Sequence, residues 1–158
     1  MNCGPRAETG KVAPHTATVV LAGFVKQDQD ILQEILDDSE CPIGPEWRWS
    51  IQPRDSVAGA LAVLRRDSVP VILCDKDRMP EAWKEILSQS ASLSQPPCLI
   101  VISRLADEHL WAEALNLGAY DVLSRPFDRA EVVRSISLAR FHWVNREVSA
   151  PAVARAVA

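Results

Sequence analysis

The strongest constraint in this sequence is a short apolar run that ends on a carboxylate. From Val69 to Cys74 (V-P-V-I-L-C) the chain carries no charge, and at Asp75 the run stops. The run is rich in β-branched residues and too short for a helix, which suits a strand buried on both faces of a parallel sheet. Two further runs share this character, Thr18 to Gly23 (T-V-V-L-A-G) and Cys98 to Ser103 (C-L-I-V-I-S). In open α/β sheets ligands are met at the carboxyl ends of the strands, so Asp75 stands at a functional position. It also has a plainer reading: the strand has reached water, where a charged side chain is at home.

The stretches between these runs are amphipathic. Ile31, Leu32, Ile35 and Leu36 fall on one stripe of a helix from about Asp28 to Asp38, with Asp and Gln opposite. Trp47 to Ile51 alternates apolar and polar residues, as a half-exposed edge strand does. Ser56 is placed to cap a second helix whose Val57, Ala60, Leu61 and Leu64 share a face. Pro80 can open a third, with Trp83, Ile86 and Leu87 toward the sheet. A fourth runs from Asp107 to Leu117, with Leu110, Trp111, Ala114 and Leu115 inward and Gly118 as its cap. Asp121 to Leu123 makes a short fifth strand, and Asp128 with Glu131 forms a capping-box variant opening a fifth helix through Val132, Val133, Ile136, Ala139 and Trp143. Trp47 and Trp49 share one face of the edge strand, and all five tryptophans read as core residues.

Five strands alternating with five helices imply one parallel sheet covered on both faces, with right-handed crossovers. Residues 1–16, with two glycines and two prolines among polar residues, read as a disordered leader, residues 17–146 as the folded domain and residues 147–158 as a flexible or helical tail. A net charge of −4 with no basic block gives no footprint for nucleic acid. No run approaches the ~20 apolar residues of a membrane span. The N-terminus lacks the order of a secretory signal, so a cytoplasmic location is expected. Cys3, Cys41, Cys74 and Cys98 form no C-x-x-C pair and no Cys/His cluster.

The segment L-G-A-Y-D-V-L-S-R-P-F, Leu117 to Phe127, is similar to the Gly-Ala-x-Asp-x-x-x-Lys-Pro-Phe segment of bacterial two-component response regulator receiver domains. With the five βα units, the chain resembles that CheY-like family over residues 18–143. The resemblance implies a flavodoxin-like, doubly wound five-stranded parallel sheet of order 2-1-3-4-5 with helices on both faces. It places Asp75 at the phosphoacceptor position, Ser103 at the switch hydroxyl, and Arg125 where the family has its lysine, before a Pro126 joined by a cis bond. An aspartyl phosphate needs a carboxylate, a cation and donors for its oxygens. Asp75, Arg125 and Ser103 supply a set of these, and the planar fork of Arg125 can pair with Asp75 bidentately.

The departure lies after strand one. There the family carries two acidic residues that hold a divalent metal, whereas this chain has Ala22-Gly23-Phe24 and no carboxylate before Asp28. Asp28 and Asp30 fall inside the first helix, where capping and dipole complementation are expected of them. Asp75 and Asp77 remain as ligands for Mg²⁺, a set that binds weakly. Val122 stands where the family has a switch aromatic, with Tyr120 two residues away on the expected same face.

Two functions follow. One is a phosphorelay receiver, phosphorylated on Asp75 by a histidine kinase. The other is a pseudo-receiver that signals through protein contacts alone, motivated by the missing acidic pair and the lysine-to-arginine change. A flavin or nucleotide enzyme of similar topology would need a phosphate-cradling glycine loop after strand one, and none is present. No catalytic grouping involves His15, His109 or His142. The resemblance also implies a homodimer through the face of helix four, strand five and helix five, including Trp111, Tyr120, Arg134 and Arg140. The stretch after Trp143 is too short to fold alone, so output is expected to pass to a separate partner or to a domain beyond this sequence.

Overall fold

The computed structural model describes residues 15–39 and 47–157, with side chains described as far as residue 146. Five strands, β1 (His15–Ala22), β2 (Trp47–Arg54), β3 (Val71–Asp75), β4 (Cys98–Ser103) and β5 (Asp121–Ser124), alternate with five helices. The helices are α1 (Lys26–Asp38), α2 (Val57–Arg66), α3 (Ala82–Ser90), α4 (Glu108–Asn116) and α5 (Arg129–Val157). All strand pairs are parallel and the order is β2-β1-β3-β4-β5, the expected doubly wound arrangement. The expected leader lies, but for its last two residues, outside the described residues, as do the 41–46 loop, Cys3 and Cys41.

The alternation of side chains along each strand sorts the core into two layers. Val19 and Leu21 of β1, Val71 and Leu73 of β3, and Ile100 and Ile102 of β4 face α1 and α5, meeting Leu32, Leu36, Ile136 and Ala139. Val20, Ala22, Ile72, Cys74, Leu99 and Val101 face the other way, onto Leu61, Leu64, Trp83, Ile86, Leu110 and Ala114 of α2, α3 and α4. Every residue of β3 and β4 is buried, which is why these strands read as continuous apolar runs. A one-residue slip would exchange the two layers, so the register is strongly specified. By the same parity Asp75 follows Val71 and Leu73 toward α1 and α5.

Local signals set three of the helix starts and the end of α4. Ser56 accepts a hydrogen bond from the Gly59 amide, Asp107 from that of Leu110, and Asp128 from that of Glu131. Gly118 takes φ 106° just past α4, as a helix C-terminus requires. Other expectations are corrected. The first strand runs from His15 to Ala22, and the second extends to Arg54, with Pro53 tolerated because β2 is the sheet edge. Helix α3 begins at Ala82, leaving Pro80 in the preceding turn. Trp111 is 46% exposed instead of inward. In α4, Leu110 and Ala114 make the buried stripe, and Trp111 lies about 100° round the helix from Leu110. Ile31 likewise sits at the rim of its stripe, partly exposed.

Trp83 is fully buried among the α2–α4 layer, and its indole N–H has no hydrogen-bond partner. Trp83→Ala is expected to destabilise the fold by about 3–5 kcal/mol. Trp83→Phe should cost distinctly less, since no hydrogen bond is lost with the indole nitrogen. Urea denaturation followed by circular dichroism checks both, and equal costs would show that the indole is not simply filling space.

Candidate functional site

The site lies where β1, β3, β4 and β5 end together. Strand β1 stops at Gly23, whose φ of 83° belongs to the left-handed region, and whose N–H donates to the Arg54 carbonyl at 2.9 Å. A Cβ at this position would stand 2.7 Å from Met79 Sδ, which that flexible side chain could relieve by moving, so it is the backbone φ that favours glycine. The chain then turns so that the Phe24 ring lies 5.6 Å from the Arg125 guanidinium carbon. Helix α1 follows, with Asp28 in its first turn.

Strand β3 ends on Asp75, which is only 2% exposed. The turn beyond it folds back: the Asp77 and Arg78 amides donate to Asp75 Oδ1 at 2.9 and 3.3 Å, and the Met79 amide to the Asp75 carbonyl at 3.0 Å. This side-chain-to-backbone turn is a habit of aspartate in tight turns. Strand β5 ends at Ser124, and Arg125 follows, its N–H donating to the Ser103 carbonyl at 3.2 Å and its bond to Pro126 cis.

The Arg125 side chain crosses the whole site. Its Nη2 and Nη1 donate to Asp75 Oδ2 and Oδ1 at 2.7 and 3.1 Å, the bidentate pairing expected from a planar fork. Nη2 and Nε also donate to Asp28 Oδ2 at 2.8 and 3.2 Å, and Nη1 to Asp77 Oδ2 at 3.2 Å. The Phe127 ring stands 5.5 Å from the guanidinium carbon, so Arg125 has an aromatic ring within cation–π reach on two sides.

Asp28 is the residue that sequence reasoning placed elsewhere. It makes no cap, since Val25 is the N-cap position without a side-chain hydrogen bond; its carboxylate accepts twice from Arg125. Asp30 turns away and pairs with Lys26 at 2.8 Å on the exposed face. The available signal was position: Asp28 is the first carboxylate after strand one, in the first turn of the helix that follows it.

Ser103 is directed at Asp77. Its Oγ donates to Asp77 Oδ1 at 3.1 Å and accepts from the Leu105 amide at 3.1 Å. Asp77 Oδ2 accepts from the Arg104 amide at 2.9 Å, and the Arg104 side chain approaches the same oxygen at 3.5 Å. Beyond them a depression of about 410 Å³ is lined by Asp28, Ile31, Arg104, Arg125, Pro126 and Phe127. Val122 is buried in the α2–α4 layer, whereas Tyr120 packs on the α1/α5 layer, because it precedes β5 and escapes the strand's alternation. The expectation of one shared face is therefore corrected.

Burial acts to raise the Asp77 carboxyl, but hydrogen bonds from the Arg104 amide and Ser103, with the charges of Arg125 and Arg104, outweigh it and hold its pKa below the usual value. Burial acts against the charged form of Arg125 as well, and Asp75 and Asp28 more than compensate, so its pKa rises. Burial pushes the neighbouring Cys74 thiol up, with the Asp75 charge adding to it, so Cys74 stays a thiol and no nucleophile. Among the described residues no group of three or more His, Cys, Asp or Glu side chains is arranged to hold a metal ion.

A carboxyl with a depressed folded-state pKa stabilises the fold above its unfolded value of about 3.9, and that contribution disappears as pH falls through the lower folded value. Asp77→Asn should therefore cost roughly 1–3 kcal/mol at neutral pH, the worth of hydrogen bonds to a charged group. The gap between wild type and variant should close below about pH 4. Chemical denaturation across pH measures it, and a gap that persists unchanged into acid would contradict this role.

No protein-family model matches the sequence, and no curated protein matches it. Solved structures do match. A signal receiver domain from Vibrio parahaemolyticus superposes with a TM-score of 0.70 at 14% identity, covering 84% of this chain and 96% of that one. The beryllofluoride-activated receiver domain dimer of NtrC4 gives 0.66 at 17%, over 80% and 98%. The chemotaxis response regulator CheY4 of Vibrio cholerae gives 0.64 at 14%, over 78% and 98%. At such identities the likeness is one of fold, and the fold of this chain is the CheY-like fold of response regulator receiver domains.

Proposed function

We propose that this chain is a signal-transduction receiver module that works through protein contacts, with its acceptor carboxylate held closed. The observation that carries this reading is the two-pronged pair between Arg125 and Asp75. A carboxylate that attacks a phosphoryl group needs an open line of approach. Asp75 Oδ1 already accepts from two backbone amides and Arg125, Oδ2 accepts from Arg125, and the residue is almost wholly buried.

A second reading keeps Asp75 as the phosphoacceptor of a phosphorelay, with a histidine kinase as donor. It is favoured by the place of Asp75 at the end of β3, with Ser103 ending the adjacent strand. It requires Arg125 to leave Asp75 first. The receiver domains among the similar structures motivate the partner under this reading.

Intact mass after incubation with acetyl phosphate and Mg²⁺, beside an Asp75→Asn control, decides between them. No phosphoryl mass gain in the folded wild type is expected. A gain that vanishes in the control would establish the phosphorelay reading and overturn the closed one.

The partner of the module includes, we infer, a second copy of this chain. Trp111 on α4 is 46% exposed, and Leu138 and Phe141, three residues apart on one face of α5, are 50% and 64% exposed. Arg134 is exposed on α5 beside them, whereas Arg140 belongs to another surface, its guanidinium 4.7 Å over the Trp47 ring. Sedimentation velocity should show a concentration-dependent dimer that Phe141→Glu weakens. A strict monomer at high concentration would remove this proposal. No helix among the described residues is long and apolar enough to cross a membrane.

A further inference from the structure

The fold implies a divalent cation beside Asp75, and the side chains present at this site do not fit one. Mg²⁺ demands oxygen ligands in near-octahedral array and keeps several of its waters. Here most of the oxygens that could serve already accept hydrogen bonds. Asp75 Oδ2, Asp28 Oδ2 and Asp77 Oδ2 all accept from the one guanidinium, at 2.7, 2.8 and 3.2 Å. The remaining oxygens of Asp75 and Asp77 accept from the Asp77 amide and from Ser103.

The walls point the same way. Where the end of β1 would have to supply a carboxylate, this chain has Gly23, in the left-handed region, and then Phe24. The faces of Phe24 and Phe127 lie 5.6 and 5.5 Å from the Arg125 guanidinium carbon. Aromatic faces suit a weakly hydrated planar cation and offer nothing to the water shell of Mg²⁺. A dication placed among these carboxylates would also stand against the fixed charge of Arg125, which Asp75 and Asp28 hold protonated.

We propose that Arg125 is a resident cation that takes the place of a divalent metal at this site. The wild-type chain then shares one fixed positive charge among Asp28, Asp75 and Asp77, and its site ignores both divalent cations and chelators. Removing Arg125 would leave the Asp28, Asp75 and Asp77 carboxylates with Arg104 beside Asp77 as the nearby counter-charge, and carboxylate oxygens are the ligand type that hard cations such as Mn²⁺ favour. This inference deepens the closed-site reading and rests on the same ion pair, but it fails separately. Phosphorylation of Asp75 would overturn the closed site whatever the metal titration shows, and metal uptake would overturn the resident cation whatever the phosphorylation assay shows.

The test is a calorimetric titration of the full chain with Mn²⁺, with thermal unfolding in Mn²⁺ and in EDTA at matched ionic strength. Wild type is expected to take up no stoichiometric Mn²⁺ and to unfold at the same temperature in both. Arg125→Ala and Arg125→Gln are expected to unfold earlier in EDTA, to bind Mn²⁺ and to recover stability with it. Adding Asp75→Asn should abolish that recovery. Stoichiometric Mn²⁺ binding by wild type that Asp75→Asn removes would overturn the proposal. So would folded Arg125 variants that take up no Mn²⁺. If neither variant folds in any condition, the wild-type titration alone decides, with uptake overturning the proposal and its absence supporting it.

Discussion

Three carboxylates that repel one another share the guanidinium of Arg125, and the elements carrying them cannot part without exposing that repulsion. Asp28 comes from the first turn of α1, Asp75 from the end of β3 and Asp77 from the turn beyond it, while Arg125 leads from β5 toward α5. The pair with Asp75 is nearly dry, with 14% and 2% of the two side chains exposed. Removing one partner of such a pair typically costs about 3–5 kcal/mol, because the survivor is left charged and buried. The arrangement is thus less a source of net stability than a constraint on which states the site can visit.

That constraint depends on the sheet beneath it. Alternation along β3 turns Val71, Leu73 and then Asp75 toward α1 and α5, the two helices whose approaches carry Asp28 and Arg125. Parallel pairing of β3 with β1 and β4 brings all the strand ends to one edge, where the turns after β1, β3, β4 and β5 meet. The apolar layers set the register, and the register decides which charges face one another. The Gly23 turn adds the last piece, because its left-handed backbone directs Phe24 against the guanidinium.

A guanidinium and a hydrated metal ion solve the problem of clustered carboxylates differently. A metal exchanges with solvent, so its site can open to a phosphoryl group without moving a side chain. A tethered guanidinium occupies the same oxygens with its own N–H groups, and access to Asp75 then requires Arg125 to move. Ser103 is drawn into the same economy of donors, its hydroxyl committed to Asp77 and to the Leu105 amide. Asp75 thus accepts hydrogen bonds on both of its oxygens, while Trp111 on α4 and Leu138 and Phe141 on α5 remain exposed.

Much of this molecule was determined by the sequence alone. Uncharged runs of β-branched residues fix buried strands because no other element of that length hides its backbone, and Ser56, Asp107, Asp128 and Gly118 mark helix ends by local hydrogen bonding and backbone freedom. Asp75 was legible as a candidate because it ends a buried strand, where a parallel sheet gathers its strand ends; Ser103 and Arg125 were legible through the resemblance of their segments to the receiver family, and Asp77 as a further carboxylate beside Asp75. Tertiary structure alone decided the partners. Asp28 is 97 residues from Arg125 in the chain, and within α1 it has the local credentials of a dipole-stabilising residue. Trp111 has the credentials of a core residue, yet a nine-residue α4 buries only the narrow Leu110–Ala114 stripe. Spacing within one element reports which residues share a face; which face meets which charge is settled only when separate elements pack, since that depends on distances no local pattern contains.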